Sequence, residues 1–395
     1  MDNINIKKPK ILFLLDNPFT NDRRVYREAK TLTDNGYQLT LIAVGNNDLP
    51  KAETVDGIRV NRILNDDIFD PKKFNCFDKY ASEITNNFEF DIVHAHDQTM
   101  LHLACKIKKL KPQIKLIYDS HELFHAWPLN ISNYNNRFIW IKSLIVRKLL
   151  TIRERSNRKK IDYIITVNKS LADDLSQYLH AKKAVTVIRN IPEKTEIAHK
   201  SNVLRVFFNI PEETKILVFI GANIYAKTLN LEQVIDEIAN CENKALVFIC
   251  AFNQNSKPVI DYVKSKNINN VYFHQIISPK DIPTYLSSAN VGLVPTWNNK
   301  DLSYWYALDN KLFEYIHAGI PVLATQQPEY VNIIEPNQCG ICVNPDIENA
   351  YINGFEKILE NHELYSEKTK ETSKLLCWEN EEKELLMLYN SIENG

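Results

Sequence analysis

No stretch of the sequence approaches the ~20 consecutive apolar residues that a membrane-crossing helix needs. The first apolar run, ILFLL at 11–15, gives way at once to polar sequence without a small-residue cleavage site. No secretory signal is expected, and the chain reads as cytoplasmic. Charge of one sign is also lacking, with 48 Lys and Arg against 49 Asp and Glu. A net charge of −1 leaves no sequence-wide cationic surface to release counterions from a nucleic acid, so no such partner is expected. The seven cysteines are scattered and odd in number, which reads as free thiols in a reducing compartment.

Several chemical signatures are missing as well. No GxGxxG follows a strand-like run, and no GxxxxGK[ST] occurs, so the dinucleotide and P-loop phosphate cradles are absent. GxSxG, HExxH and the EF-hand loop are not found either. Cys339 and Cys342 make a CxxC whose interior is Gly-Ile at the start of a strand-like run, and without a second pair it reads as structural. His94 and His96 alternate in VHAH, a spacing compatible with metal ligation, yet no third ligand is close in sequence. One ring is expected to be packed and the other to face a cleft, with no metal.

What is present is a long alternation of short apolar runs with helical patterns. The runs lie at 11–15, 39–44, 58–63, 91–95, 115–119, 163–167 and 185–189, then at 216–221, 246–250, 271–273, 291–295, 321–325 and 340–343. Several lack period-2 alternation, as strands buried on both faces require. The pattern predicts two parallel, doubly wound α/β domains, and 395 residues exceed what one core supports. The segment from Asn190 to about Lys215, with Pro192 and Pro211, reads as the join. One helix can be read in detail, with Asp22 as N-cap, Val25, Ala29 and Leu32 on its apolar face, and Gly36 ending it. Because ligands bind beyond the carboxyl ends of such strands, a ligand in a cleft between facing domains is expected.

The most informative stretch is ALDNKLFEYIHAGIPVLATQQPEYVNIIE at 307–335. Asp309 or Asn310 can cap a short helix that carries Lys311 and Glu314 one turn apart, and Gly319 closes it before PVLAT. A carboxylate at position 314 can accept two hydrogen bonds from vicinal hydroxyls, which is what a ribose presents. After PVLAT the chain turns at Gln326 and Gln327 into a helix at Pro328 whose N-terminal amides can face an anion.

These stretches together resemble the retaining glycosyltransferases of family 4, which have the GT-B fold. The similar segments are DRRVYREAKTLTDNGYQLTLIA, DIVHAHD, YDSHEL at 118–123, YIITVNKSLADDL, VIRNIPE, FIGANIYAKTLNLEQVI at 220–235, NKLFEYIHAGIPVLAT and WENEEKELLMLY at 378–389. The resemblance implies two Rossmann-like domains facing a cleft, 1–190 for the acceptor and 191–375 for the nucleotide sugar. It implies also a helix at 376–395 that crosses back onto the first domain. The implied reaction moves a sugar from a nucleotide diphosphate sugar, UDP- or GDP-linked, to a glycan or lipid-linked acceptor. Configuration is retained, no metal or cofactor is required, and the expected setting is the building of a bacterial surface polysaccharide or glycoconjugate.

The same resemblance implies site residues. Glu314 is assigned to the ribose hydroxyls, Lys227 to the diphosphate, and His121 to the reacting sugar or the orientation of the acceptor, so these three are the catalytic candidates. Donor contacts extend to Asn17, Arg23, Gly221, Tyr225, Ile276, Tyr306, Asn310 and Lys311, and acceptor contacts to His96, His121 and Glu122. Three departures are visible. Tyr306 stands where the family has an earlier Glu, Ala222 and Asn223 follow Gly221 where an Arg is usual, and DNPFTNDRR replaces the glycine-rich loop after the first strand. Asn17, Thr20 or Arg23 would then supply phosphate contacts.

Between Arg137 and Lys160, nine Lys and Arg residues face one acid, Glu154, and are interleaved with Phe138, Trp140, Ile141, Leu144, Ile145, Val146, Leu149 and Leu150. Such a helix suits an anionic membrane surface and a peripheral place at its inner face. A crossover helix with a solvated basic face is the alternative, and both readings stay open. The apolar and acidic residues from about Ser373, Leu375 and Leu376 through Tyr389 predict that the last segment is a packed helix. Two other functions share the fold: a UDP-N-acetylglucosamine 2-epimerase-like enzyme, and a non-catalytic subunit of a glycosyltransferase complex.

Overall fold

The computed structural model describes residues 8–46, 48–69, 75–126, 137–196, 199–222, 224, 229, 231–298 and 301–394. The chain divides into two compact units, Met1–Asn190 together with Glu381–Gly395, and Ile191–Asn380.

The first unit is built on strands β1 Lys10–Leu14, β2 Gln38–Val44, β3 Ala52–Val55, β4 Ile58–Leu64, β5 Ile92–His96, β6 Lys115–Ser120, β7 Tyr163–Thr166 and β8 Thr186–Val187. Their order in the sheet is β3-β4-β2-β1-β5-β6-β7-β8. All neighbours run parallel except β3 and β4. The apolar runs mark the parallel strands, and the central ones, β1, β5 and β6, are buried along almost their whole length, as strands covered on both faces must be. The antiparallel β3 departs from the all-parallel expectation. It carries no apolar run, since AETV alternates between exposed and half-buried positions at the sheet edge. A two-residue turn at Asp56 and Gly57 joins it to β4, with φ of 48° and 89°. Such a turn twists a tight hairpin in the favoured sense.

The second unit carries β9 Lys215–Ile220, β10 Lys244–Cys250, β11 Val271–Gln275, β12 Val291–Val294, β13 Val322–Thr325 and β14 Gly340–Val343. They form one fully parallel sheet in the order β11-β10-β9-β12-β13-β14. In β9, Ile216, Val218 and Ile220 enter one core layer, while Leu217 and Phe219 enter the other. A strand that must be apolar on both faces therefore reads as an unbroken run. None of the seven cysteines is in a disulfide, and burial pushes the Cys339 thiol up to about 12, which suits its structural reading.

Local signals placed the helices that matter. The Asp22 carboxylate accepts the Val25 N–H at 3.1 Å and so caps the helix Arg23–Asp34. Gly36, at φ 85°, takes the left-handed turn beyond it.

The last helix differs from expectation at its start. Ser373 to Leu375 finish the preceding helix His362–Leu375, Leu375 is exposed, and the final helix runs Trp378–Glu393. Leu376 joins a core layer of the second unit, whereas Leu385 and Tyr389 are buried in the first. Glu381 is buried, and accepts from Arg189 Nε at 2.9 Å and from the Arg189 N–H at 2.8 Å. Thr31 Oγ1 donates to Glu382 at 2.9 Å, and Tyr389 OH meets His94 Nδ1 at 2.9 Å. Burying Leu385 alone stabilises by about 1.5–3 kcal/mol. A chain ending before Cys377 should therefore unfold its first unit at a lower temperature and bind hydrophobic dyes. Calorimetry showing an unchanged transition would contradict this packing.

Candidate functional site

In the first sheet β1 lies between β2 and β5, so the loops after β1 and β5 diverge and leave a crevice beyond the strand ends. Titratable side chains converge at this edge. Arg24, from the first turn of the capped helix, is buried and directs Nη2 to Asp119 Oδ1 at 3.1 Å and Oδ2 at 3.0 Å. The same nitrogen lies 3.0 Å from Glu28 Oε1, one helical turn on, and Nη1 donates to the Ile188 carbonyl at 2.6 Å. Burial alone works against the Asp119 charge, but Arg24 and His121 outweigh it and hold the carboxyl well below its ordinary range. Burial raises the Glu28 carboxyl, partly countered by Arg24.

His121 follows β6 and is clamped between two acids. Its Nδ1 lies 3.2 Å from Asp97 Oδ2, its Nε2 3.3 Å from Asp119 Oδ2, and its backbone N–H donates to Asp97 Oδ1 at 3.0 Å. Burial disfavours the cation, yet Asp97 and then Asp119 override it and raise the His121 pKa well above 6.5. A carboxylate oxygen stands within 3.3 Å of each ring nitrogen, which favours the imidazolium, and an imidazolium has no lone pair to accept a proton. Asp97 takes this position at a cost, because it is a non-glycine residue at φ 62° directly after β5. Burial, with Asp97 nearby, lifts the Asp16 carboxyl to about 6.

His94 and His96 were expected to divide between packing and a cleft. Both rings are instead fully buried and stacked at 4.4 Å, because β5 is a central strand and Tyr389 covers His94. Burial lowers the His94 pKa to about 3, so that ring is neutral. Glu28, His94, His96 and Asp119 offer ligand atoms within 4.8 Å of one another, a set that suits a transition metal by donor type. Arg24 stands 3.0 Å from an oxygen of each acid, so both carboxylates already face a cation.

The other first-unit candidates lie around this cluster. The Asn17 side chain is committed to its own loop, donating to Asp22 at 2.9 Å and accepting from the Phe19 N–H at 2.9 Å. Thr20, Arg23 and Glu122 are exposed at the same edge.

In the second sheet the chain reverses between β9 and β12, which again opens a crevice at the carboxyl edge. Gly221 follows β9 there and donates its N–H to the Ile249 carbonyl at 3.1 Å. The helix Asn310–His317, which follows β12, is fixed by Tyr315. The Tyr315 hydroxyl donates to the Leu293 carbonyl at 3.1 Å and accepts the Ile220 N–H at 3.0 Å. Its ring lies so close to β12 that a Cβ on Gly292 would sit 2.2 Å away, so only glycine admits this approach. Glu314, half-buried, is the residue before this anchor.

Asp309 holds the N-cap position but does not cap with its side chain, contrary to expectation. Its Oδ2 accepts from Thr296 at 2.7 Å, Lys311 at 2.9 Å and Tyr330 at 3.0 Å. Burial opposes ionisation of Asp309, while Lys311 and these donors lower its pKa. Tyr306 and Asn310 flank this node, whereas Ile276 lies exposed beyond the edge strand β11. Gln327, fully buried at the start of the helix Pro328–Asn337, has no hydrogen-bond partner for either amide atom among the described residues. Tyr225 and Lys227 lie outside the described residues.

The family model described as Glycosyltransferase Family 4 matches residues 22–191, and that described as Glycosyl transferases group 1 matches residues 214–361. Each match spans most of one unit. The chain is a GT-B glycosyltransferase.

Solved structures agree on the fold of this glycosyltransferase. Sucrose-phosphate synthase from Thermosynechococcus elongatus superposes with a TM-score of 0.75 at 15% identity, over 98% of this chain and 99% of its own. A glycosyltransferase from Rickettsia africae gives 0.72 at 15%, covering 98% of each chain. HepE from Anabaena, in complex with UDP-glucose, gives 0.69 at 13%, over 97% of this chain and 100% of its own. No curated protein matches the chain in sequence.

Sequence reasoning missed Arg24, Glu28, Asp97 and Asp309 as parts of the glycosyltransferase's two clusters. The Arg24 and Glu28 pair was visible as an i, i+4 spacing in RRVYREAK, but its partner Asp119 is 95 residues away.

Two outcomes follow from the first cluster. Arg24→Met leaves the buried Glu28 carboxylate without its cation and Asp119 with His121 alone, and should cost about 3–5 kcal/mol. Chemical denaturation with an unchanged midpoint would contradict that pairing. Asp97→Asn should bring the His121 pKa down toward 6.5, read from its ring resonances during an NMR titration. The raised His121 pKa contributes stability fully below 6.5, and this is lost as pH climbs through the raised value. Asp97, held below 3.8, contributes above that value and loses it on acidification. The variant should therefore be weakened most between these limits and little in strong acid. An unmoved His121 titration would remove the clamp.

Proposed function

We propose that the chain is a retaining, metal-independent glycosyltransferase that takes a nucleotide diphosphate sugar, UDP- or GDP-linked, as donor. The acceptor is a glycan or lipid-linked glycan, and the setting is the cytoplasmic face of a membrane where a bacterial surface polysaccharide or glycoconjugate is built. The observation that carries this reading is Glu314. It is held one residue before the Tyr315 anchor, on the helix that opens from the switch point of the second sheet. A carboxylate so fixed suits the paired hydroxyls of a ribose. HepE in complex with UDP-glucose shows that the same fold hosts such a donor.

In this reading the second unit binds the donor. Lys227 and Lys311 neutralise the diphosphate in place of a metal, with Gly221, Tyr225, Ile276, Tyr306 and Asn310 lining the donor. On the first unit the exposed Arg23 is offered to a phosphate, and His121 and Glu122 to the acceptor, while the enclosed His96 and the loop-bound Asn17 side chain are left out. The bond from the anomeric carbon to the phosphate oxygen breaks, and its electron pair stays with the leaving diphosphate. The acceptor hydroxyl attacks from the same face, and its proton passes to that phosphate oxygen. No carboxylate nucleophile is needed, and the protein's work is positioning and stabilising the leaving group. The backbone carbonyl of His121, fixed by the Asp97 and Asp119 clamp, is assigned to the reacting sugar.

Incubation with donor alone separates this function from an epimerase, which changes the sugar without an acceptor. Glu314→Gln should weaken nucleotide affinity about ten- to a hundredfold, because a charged acceptor to hydroxyl donors contributes roughly 1.5–3 kcal/mol. Calorimetry showing unchanged affinity would overturn the assignment.

A further inference from the structure

The helix Arg137–Asn157 leaves an apolar face that the core does not use. Its inner face is already engaged. Glu154, the sole acid between 137 and 160, is buried, accepting from Tyr118 OH at 2.6 Å and from Gln98 at 3.1 Å. Tyr178 OH donates to the Thr151 carbonyl at 3.0 Å, and Arg147 reaches back to the His125 carbonyl at 3.0 Å.

On the outer face Ile141, Ile145, Leu149 and Ile152 are exposed by 41%, 56%, 48% and 56%. Their spacings of four, four and three residues stack them along one stripe. The exposed cations Lys148, Arg155 and Lys159 share this side. At 3.6 residues per turn the six helical positions fall within roughly a third of the circumference, Lys159 lies in the 3-10 turn just beyond the helix, and no acid is among them.

We infer that this face is an interfacial surface that docks on an anionic phospholipid bilayer. The aliphatic side chains enter the headgroup boundary while Lys148, Arg155 and Lys159 meet lipid phosphates. Charge complementarity selects the occupant, because a wholly apolar and cationic stripe matches anionic lipid. The inference deepens the assignment of a lipid-linked acceptor and rests on it for its purpose. It also revises which cations matter. Arg158 donates to the Arg155 carbonyl at 2.8 Å and Lys160 to Asn157 at 3.2 Å, so these two are turned back on the chain.

The test uses the full chain and sedimentation with phosphatidylcholine vesicles, with and without phosphatidylglycerol. Wild-type protein should bind only the anionic vesicles. Lys148→Gln, Arg155→Gln and Lys159→Gln together should weaken binding about a hundredfold, at about 1 kcal/mol per cation. Ile145→Ser with Ile152→Ser should also abolish sedimentation, whereas the exposed Leu364→Ser, on another helix, should leave it unchanged. Circular dichroism and donor hydrolysis of each variant should match wild type, so lost turnover would speak against the catalytic reading and not against this surface. Wild-type failure to bind anionic vesicles, or equal binding by all variants, would overturn the proposal. So would a wild-type dimer that Ile145→Ser with Ile152→Ser converts to monomer, since the stripe would then belong to a second copy.

Discussion

The buried guanidinium of Arg24 is the constraint on which the first unit's functional edge depends. Two carboxylates, Asp119 and Glu28, stand within 3.0 Å of one nitrogen, and neither reaches solvent. A buried carboxylate without a cation would take up a proton or disrupt the packing. With Arg24 present, Asp119 stays ionised and can face His94, His96 and His121 at 3.3–3.5 Å. The charge on His121 follows from Asp97 and Asp119, and its orientation from the same two acids. One ion pair thus propagates through three strand ends and a helix to the position of a single backbone carbonyl.

The second unit reaches a comparable result by different means. Its anchor is a tyrosine whose hydroxyl bridges two central strands, admitted by the missing side chain of Gly292. That anchor fixes the helix bearing Lys311 and Glu314 before any ligand arrives. Asp309 gathers Thr296, Lys311 and Tyr330 on one oxygen and joins the helix to the strands around it. Positioning catalysis asks for this kind of rigidity, since a transferring sugar and a leaving diphosphate need fixed partners more than reactive ones.

The long helix 137–157 shows how one element can serve two surfaces. Glu154 and Thr151 tie its inner face to the first unit. The outer stripe of Ile141, Ile145, Leu149 and Ile152 is exposed apart from these contacts, which is why it carries information. From composition alone, an apolar stripe on a crossover helix is indistinguishable from an ordinary core stripe.

The sequence by itself determined the two parallel sheets, because strands buried on both faces must be written as unbroken apolar runs. It determined the Asp22 cap and the glycine-closed helix that carries Glu314, because caps and turns act over a few residues. It also determined the family resemblance, through the order of many short motifs. It did not determine β3, whose one-sided edge position leaves no apolar run, although the Asp56–Gly57 turn marked it. Nor did it determine that both His94 and His96 are enclosed, or that Asp309 gathers three donors instead of capping its helix. Those outcomes belonged to the tertiary structure. Arg24 and Asp119 are 95 residues apart, and His94 and Tyr389 are 295 apart. Pairings over such separations leave no local signal, and only the folded chain brings them within reach of a hydrogen bond.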